Sequence, residues 1–524
     1  MIDPVQMPSD AEAEEPGLPW ADSLRTVLAH LDKFSAGSVV DAVMVVLRSA
    51  PADPHEALEK FPWLLVLIAK WALQGASPLR IGDRLPPEHL NELRNLLWSG
   101  GDAAHIERKV RLGKVNVMLM MRQILNCQMP YQQQDIWGLF RWSGLIDRLP
   151  KGHVCRQQYI EVMGMEPMYF VMLGITLVFA AKSGVNHVPN MAALEMLRPH
   201  CRTATERFLS MLAPSLPELR DLVRQLPRAK GTRSRELYEF SAFKRYPLFR
   251  HRDGTLVMWH PAIVDRCVDE IVHLRLAQFG DSYTEPFSKV FERYVEELAM
   301  ATKLPLMTED AYWKRYDSTD NAVDVILSCG ADRLLVEAKM GLFHEDVLLQ
   351  ETERGVRGQT PHLLRALKQG YAVSHQLVDD PPDTRDANDG VHYLIVVTSR
   401  DLLIGTGLML DQVCGAGRVD APPDFSKHRL PLNRVFFLPI LEYERLMEAV
   451  AKGVVDLFDV LRDATAACQD LGGSRYQFHD YYRSKVKNFP MPALISNVRT
   501  AAMEKIARAV GISLDAVGTP EDQS

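Results

Sequence analysis

Residues 322–340 read AVDVILSCGADRLLVEAKM, two apolar runs separated by a segment with the composition of a tight turn. AVDVIL (322–327) and RLLVEAKM (333–340) have strand character, and the short SCGAD connection (328–332) makes them a hairpin. Charges interrupt both strands: Asp324 in the first, Glu337 and Lys339 in the second. Side chains alternate along a strand, so Glu337 and Lys339 share a face with Leu335, while Val336 and Ala338 face the other way. The hairpin then sets Asp324 across from the Glu–Lys pair. Charge in a sheet interior is costly unless it is paired or bound to a metal. Two acids and an ammonium converging at one point make either an ion-pair cluster or a cation site with a catalytic lysine.

Working outward, PFSKVFERYVEELAMA (286–301) is an amphipathic helix with Phe287, Val290, Phe291, Tyr294, Val295 and Leu298 on one side. A short apolar piece, LPLM (304–307), separates it from the hairpin. Beyond the hairpin come a helical region at about 357–378 and a Pro/Asp-rich loop at 379–390. HYLIVVTS (392–399) and RVFFLPI (434–440) are apolar enough for buried strands, and LEYERLMEAV (441–450) is helical. This order predicts a mixed sheet flanked by helices.

A helix followed by a hairpin that carries Asp and then Glu-x-Lys resembles the PD-(D/E)xK nuclease superfamily, over about residues 285–450. The resemblance implies a restriction-endonuclease-like α/β domain that hydrolyses phosphodiester bonds with Mg²⁺, or Mn²⁺ in its place. It implies that Asp324, Glu337 and the Ala338 carbonyl ligate the metal, and that Lys339 polarises the attacking water or stabilises charge on the phosphate. Glu292 on the preceding helix fits a further acidic position of such nucleases, with Glu296 as its fallback. Gln369 is a polar candidate on the helix after the hairpin. The proline of the family's name is absent, because Val323 precedes Asp324, and the Gln–Tyr spacing of the RecB-like branch is missing. A second Glu-x-Lys, Glu107–Lys109 with Asp102 upstream, lies in the charged run HIERKVRLGK and reads as a solvated face.

The rest of the chain sets bounds. Its 524 residues are 47% hydrophobic and 24% charged, globular composition for several structural units. A net charge of -7 excludes a highly basic chromatin-type protein. Seven widely spaced cysteines without a CxxC pair suit a reducing cytosol and argue against a disulfide framework or zinc ribbon. Residues 1–24 read as an acidic flexible tail, 25–226 as a mostly helical regulatory or partner-binding region, and 451–524 as a C-terminal helical extension. The apolar run from Pro167 to Ala181 is shorter than a membrane-spanning helix and reads as a core helix. The expectation is therefore a cytoplasmic protein with no membrane partner, and α+β overall.

Residues 227–284 read as a basic, aromatic connector. Between Arg224 and Arg252, nine bases face only Glu236 and Glu239, interleaved with Tyr238, Phe240, Phe243, Tyr246 and Phe249. Phosphate neutralisation with ring stacking would suit nucleic acid, through Lys230, Arg233, Arg235, Lys244 and Arg245. The rival reading is a linker whose rings anchor it to the core. RYQFHDYYRSKVKNF (475–489) carries the same ambiguity, and His344-Glu345-Asp346 reads as a polar loop.

These readings lead to an Mg²⁺-dependent DNA endonuclease whose helical region controls access or recruits a protein partner or a second copy. Large helical additions of this kind are similar to those of prokaryotic anti-phage defence effectors. The alternatives are an RNA substrate, and an inactive nuclease-fold subunit that binds nucleic acid or protein.

Overall fold

A computed structural model of the chain describes residues 19–49, 56, 58, 61–79, 83–111, 116–131, 135–226, 233–317, 322–341, 346–350, 352–378, 390–419 and 421–511. The protein is α+β. Helices dominate the first half, and a five-stranded mixed sheet stands in the second.

The amino-terminal helices form a core of their own. Ser35 caps the Ala36–Arg48 helix by accepting from the Ser38 N–H at 3.1 Å. Pro62 opens the Pro62–Gln74 helix, whose every residue is buried. Lys70 lies inside that apolar run, and its ammonium meets Glu236 at 3.0 Å and Glu239 at 3.1 Å. Glu236 and Glu239, set among the bases of the expected connector, are thus spent on a buried lysine. Its rings are spent as well: Phe240, Phe243 and Phe249 are buried, and Phe243 stacks on Trp259 with centroids 4.1 Å apart.

Residues 227–284 are therefore not a connector. The described part holds short 3₁₀ turns, a hairpin of β1 (Leu248–Arg250) and β2 (Leu256–Met258), and the Pro261–Leu276 helix, all packed into the helical body. The Pro261–Leu276 helix carries apolar residues at helical spacing (Ile263, Val264, Cys267, Val268, Ile271, Val272, Leu276), a signal that the basic, aromatic composition of residues 224–252 masked.

The sheet runs β3 (Leu306–Thr308), β4 (Val325–Cys329), β5 (Asp332–Lys339), β6 (His392–Thr398), β7 (Val435–Pro439) in spatial order. β3, β4 and β5 pair antiparallel; β6 and β7 add in parallel. The β4–β5 turn has two central residues, and Gly330 takes φ 58 there, a conformation glycine adopts without steric cost.

Alternation assigns the faces. Leu334, Val336 and Ala338 join the core built from the Trp137–Asp147, Pro167–Lys182, Asp281–Ala301, Ile440–Ala451 and Ala493–Val510 helices. Leu335, Leu394 and Val396 join the opposite core, under the Pro361–Val378 and Gly407–Cys414 helices. The Ala493–Val510 helix returns to pack on Trp137–Asp147 and Pro167–Lys182, so the C-terminal extension closes onto the amino-terminal half. Residues 285–450 share a core with both neighbours.

Among the described residues, no single helix is long and apolar enough to cross a membrane. The Val154–Met163 and Pro167–Lys182 pair passes on length and composition with a 46° bend, but Phe170, Leu173 and Leu177 of the second helix are buried in the protein core.

Candidate active site

The hairpin sets the geometry. The ladder begins with Val325 opposite Val336, so Asp324 stands one residue outside it, at the step facing Glu337. The expected strand start is thus corrected by three residues. The reason is a hydrogen bond: the Ala338 N–H donates to Asp324 Oδ2 at 2.6 Å. One residue along β5, Lys339 Nζ donates to Glu337 Oε1. It also donates to Gln369 Oε1 at 3.1 Å, and Gln369 Nε2 donates to the Ala322 carbonyl at 2.9 Å. Gln369 therefore ties the Pro361–Val378 helix to both ends of the hairpin.

Glu292 arrives from the other layer. It lies on the Asp281–Ala301 helix and accepts from Lys289 Nζ at 2.8 Å. Asp324, Glu337, Lys339 and Gln369 are in direct contact within the hairpin cluster or with its backbone, and Glu292 acts on Asp324 and Glu337 through its charge.

The electrostatics follow from burial. Glu337 is 3% exposed, and its Oε2 has no hydrogen-bond partner. Burial pushes the Glu337 carboxyl up to about 7, against the pull of Lys339 and with help from Glu309 and Glu292. Burial, then the Glu337 charge, holds the Asp324 carboxyl well above the usual carboxylate range, although the Ala338 N–H opposes it. A buried acid with an unsatisfied oxygen favours protonation, or a cation.

Glu309 is a member of this field that the sequence did not single out. It opens the Glu309–Tyr316 helix directly after β3, and its N–H donates to the Asp324 carbonyl at 3.1 Å. Burial raises its carboxyl, and it interacts with Lys289, Glu292 and Lys339. Only the pairing of Thr308 with Val325 brings it here. The capping pattern Thr308-Glu309-Asp310 was the one available signal, and it marks a helix start without marking a site.

The other expected site residues lie elsewhere. Lys244, expected to face nucleic acid, is 7% exposed and pairs with Glu270 at 3.7 Å. Burial lowers its ammonium to about 7, Glu270 opposing and Arg400, Arg266 and Arg245 adding to the fall. It is a core residue because its segment packs into the helical body. Arg245 is exposed, Arg233 and Arg235 lie on a 3₁₀ turn, and Lys230 lies outside the described residues. His344 and Glu345 also lie outside them. Asp102, Glu107 and Lys109 fall in the Pro87–Arg111 helix and not on a strand. In 475–489, Phe478 and Tyr482 are buried and Phe478 meets Phe436 at 5.1 Å, so this stretch packs on the sheet domain.

Among the described residues, no group of three or more His, Cys, Asp or Glu is spaced to hold a metal ion. The fold and cluster define a helical protein with a mixed sheet and a buried acid–lysine centre at one sheet end. No family model, curated protein or solved structure matches the chain.

Proposed function

We propose that the protein is a metal-dependent phosphodiesterase, a DNA endonuclease of the PD-(D/E)xK type, acting at Asp324, Glu337 and Lys339. The observation that carries this reading is the buried, unpartnered Oε2 of Glu337 beside a second, half-buried carboxylate, Asp324, and Lys339. Glu236 also keeps an unpartnered oxygen in its ion pair with Lys70, so the lone Oε2 of Glu337 counts through its neighbours: a second carboxylate, Asp324, stands beside it, and a hard divalent cation takes oxygen ligands. The order of helix, antiparallel hairpin, helix and parallel strand also supports the restriction-endonuclease-like fold.

Glu337, Asp324 and the Ala338 carbonyl would hold Mg²⁺ or Mn²⁺, and Glu292 acts on the two acids through its charge. A divalent ion held there would supply Lewis-acid chemistry: a more acidic water and stabilisation of developing negative charge. Lys339, half-buried and placed by Glu337 and Gln369, would hold an ammonium where the phosphate is attacked. Gln369 fixes the lysine by its second bond to Ala322. The helical body, joined to the sheet through a common core, would control access or bind a partner in a cytoplasmic anti-phage role.

A second reading is a nuclease-fold subunit that binds nucleic acid or protein without cutting, and the close Lys339–Glu337 pair favours it. Incubation of the purified protein with plasmid, linear duplex, single-stranded DNA and RNA, in Mg²⁺, Mn²⁺ or EDTA, separates the two. Metal-dependent cleavage supports the enzyme, and binding without cleavage in any metal supports the subunit.

A further inference from the structure

Catalysis at a phosphodiester requires that the phosphates next to the scissile one be held. Several cations near the sheet are already consumed inside the protein. Arg266 and Arg400 converge on Glu270 at 2.6 and 2.9 Å, and Arg122, fully buried, donates to the Leu402 carbonyl at 3.0 Å. Lys244 is buried beside the same Glu270.

Two helices present cations at the site itself. Lys289, with its side chain 74% exposed, is held by Glu292 at 2.8 Å and interacts with Asp324 and Glu309. On the other side, His362, Arg365 and Gln369 occupy positions i, i+3 and i+7 of the Pro361–Val378 helix, one face of it. Gln369 reaches Lys339 at 3.1 Å, and His362 and Arg365 are exposed. His362 interacts with both Arg365 and Lys339, so this face continues the site toward solvent.

We propose, resting on the nuclease reading, that Lys289 and Arg365 seat the backbone phosphates on the two sides of the scissile phosphate, with His362 as a hydrogen-bonding group beside Arg365. Partial desolvation of its ring, with the adjoining Arg365 and Lys339, disfavours the His362 imidazolium. The nucleic-acid track therefore crosses the sheet end between two helices, and the rings of residues 238–249 take no part in it. The ligand chemistry is a chain of phosphodiesters, common to DNA and RNA.

The test measures affinity for fluorescein-labelled duplex DNA, single-stranded DNA and single-stranded RNA of one sequence, in EDTA, from 50 to 200 mM KCl. For duplex DNA each lost phosphate contact lowers the magnitude of the salt slope by about 0.9, so K289S/R365S should lower it by about 2. The variant's affinity deficit should then shrink about tenfold between 50 and 200 mM KCl. Arg365→Lys should keep the slope, and Lys505→Ser, on the exposed side of the Ala493–Val510 helix, should leave it unchanged. A folded K289S/R365S protein with the parental slope on every probe overturns the proposal while metal-dependent cleavage by the parent keeps the nuclease reading. A parent that neither binds nor cleaves any probe overturns both.

Discussion

The Asp281–Ala301 helix contributes to two buried acid–base clusters of opposite design. At one, Tyr294 and Arg141 satisfy Glu444 completely: Arg141 Nε and Nη2 donate at 2.6 and 2.5 Å, and the Tyr294 hydroxyl donates at 2.7 Å. That cluster pins the Trp137–Asp147 helix to Ile440–Ala451 across the main core. At the other, Glu292 borders Asp324, Glu337 and Lys339, and Glu337 keeps an oxygen with no partner. Both clusters pay desolvation, but only the first recovers it within the protein. A charge satisfied within the protein holds the fold together; two carboxylates converging beside a lysine, with one oxygen left open, form a place where a cation fits.

The largest effect expected from this contrast is on stability. Glu444→Ala strands the buried Arg141 guanidinium and should cost about 3–5 kcal/mol in urea unfolding. A loss under ~1 kcal/mol would show that the Arg141 cluster is dispensable and dissolve the contrast.

Next comes activity. Lys339→Met should lower Mg²⁺-dependent cleavage by on the order of 10²–10³, as loss of one preorganised charge-stabilising group does, with little change in melting temperature. Wild-type cleavage rates from this variant would remove the lysine from the site.

A smaller effect concerns pH. The Glu337 carboxyl is raised in the fold to about 7, so the folded state holds its proton longer than the unfolded chain. Its contribution to stability is therefore present below about pH 4.5 and is lost as pH rises toward about 7. Metal-free parent protein should lose melting temperature between pH 5 and 8, and Glu337→Gln should flatten that decline. Added Mg²⁺ should flatten it too. Equal slopes in parent and variant would mean that Glu337 is not the buried acid described here.

A pH effect of the opposite sign should come from Lys244. Its ammonium is lowered in the fold to about 7, so the charged form is disfavoured and parental stability rises with pH from about 7 toward 10.5. Lys244→Met should remove that rise, cost little at neutral pH, and leave the salt slope of nucleic-acid binding unchanged. A reduced salt slope would return Lys244 to the nucleic-acid surface.

The hairpin, the flanking helices and the two parallel strands were legible in the sequence because each is a continuous apolar run with its own period or boundary. The start of β4 was not, because the Ala338 N–H bonds to the Asp324 side chain and the ladder opens one residue later. The basic-aromatic segment misled for a different reason. Its composition is the same whether Phe240, Phe243 and Phe249 stack on bases or fill a core, and the buried Lys70 that claims Glu236 and Glu239 lies more than 160 residues away in sequence. Glu309 joins the site only through strand pairing, a contact no local pattern encodes.

Asp324→Asn tests the central claim most directly, because it removes one negative charge at nearly constant volume. If Asp324 faces a bound cation and the scissile phosphate, Mg²⁺-dependent cleavage should fall by orders of magnitude. Affinity for DNA in EDTA should stay the same or rise, since a charge that repels phosphate is gone. Melting temperature should hold or increase, because the half-buried carboxylate it replaces is itself disfavoured. Unfolding of the variant, together with a parent that cleaves nothing in Mg²⁺ or Mn²⁺, would contradict the account and make Asp324 a structural partner of the hairpin.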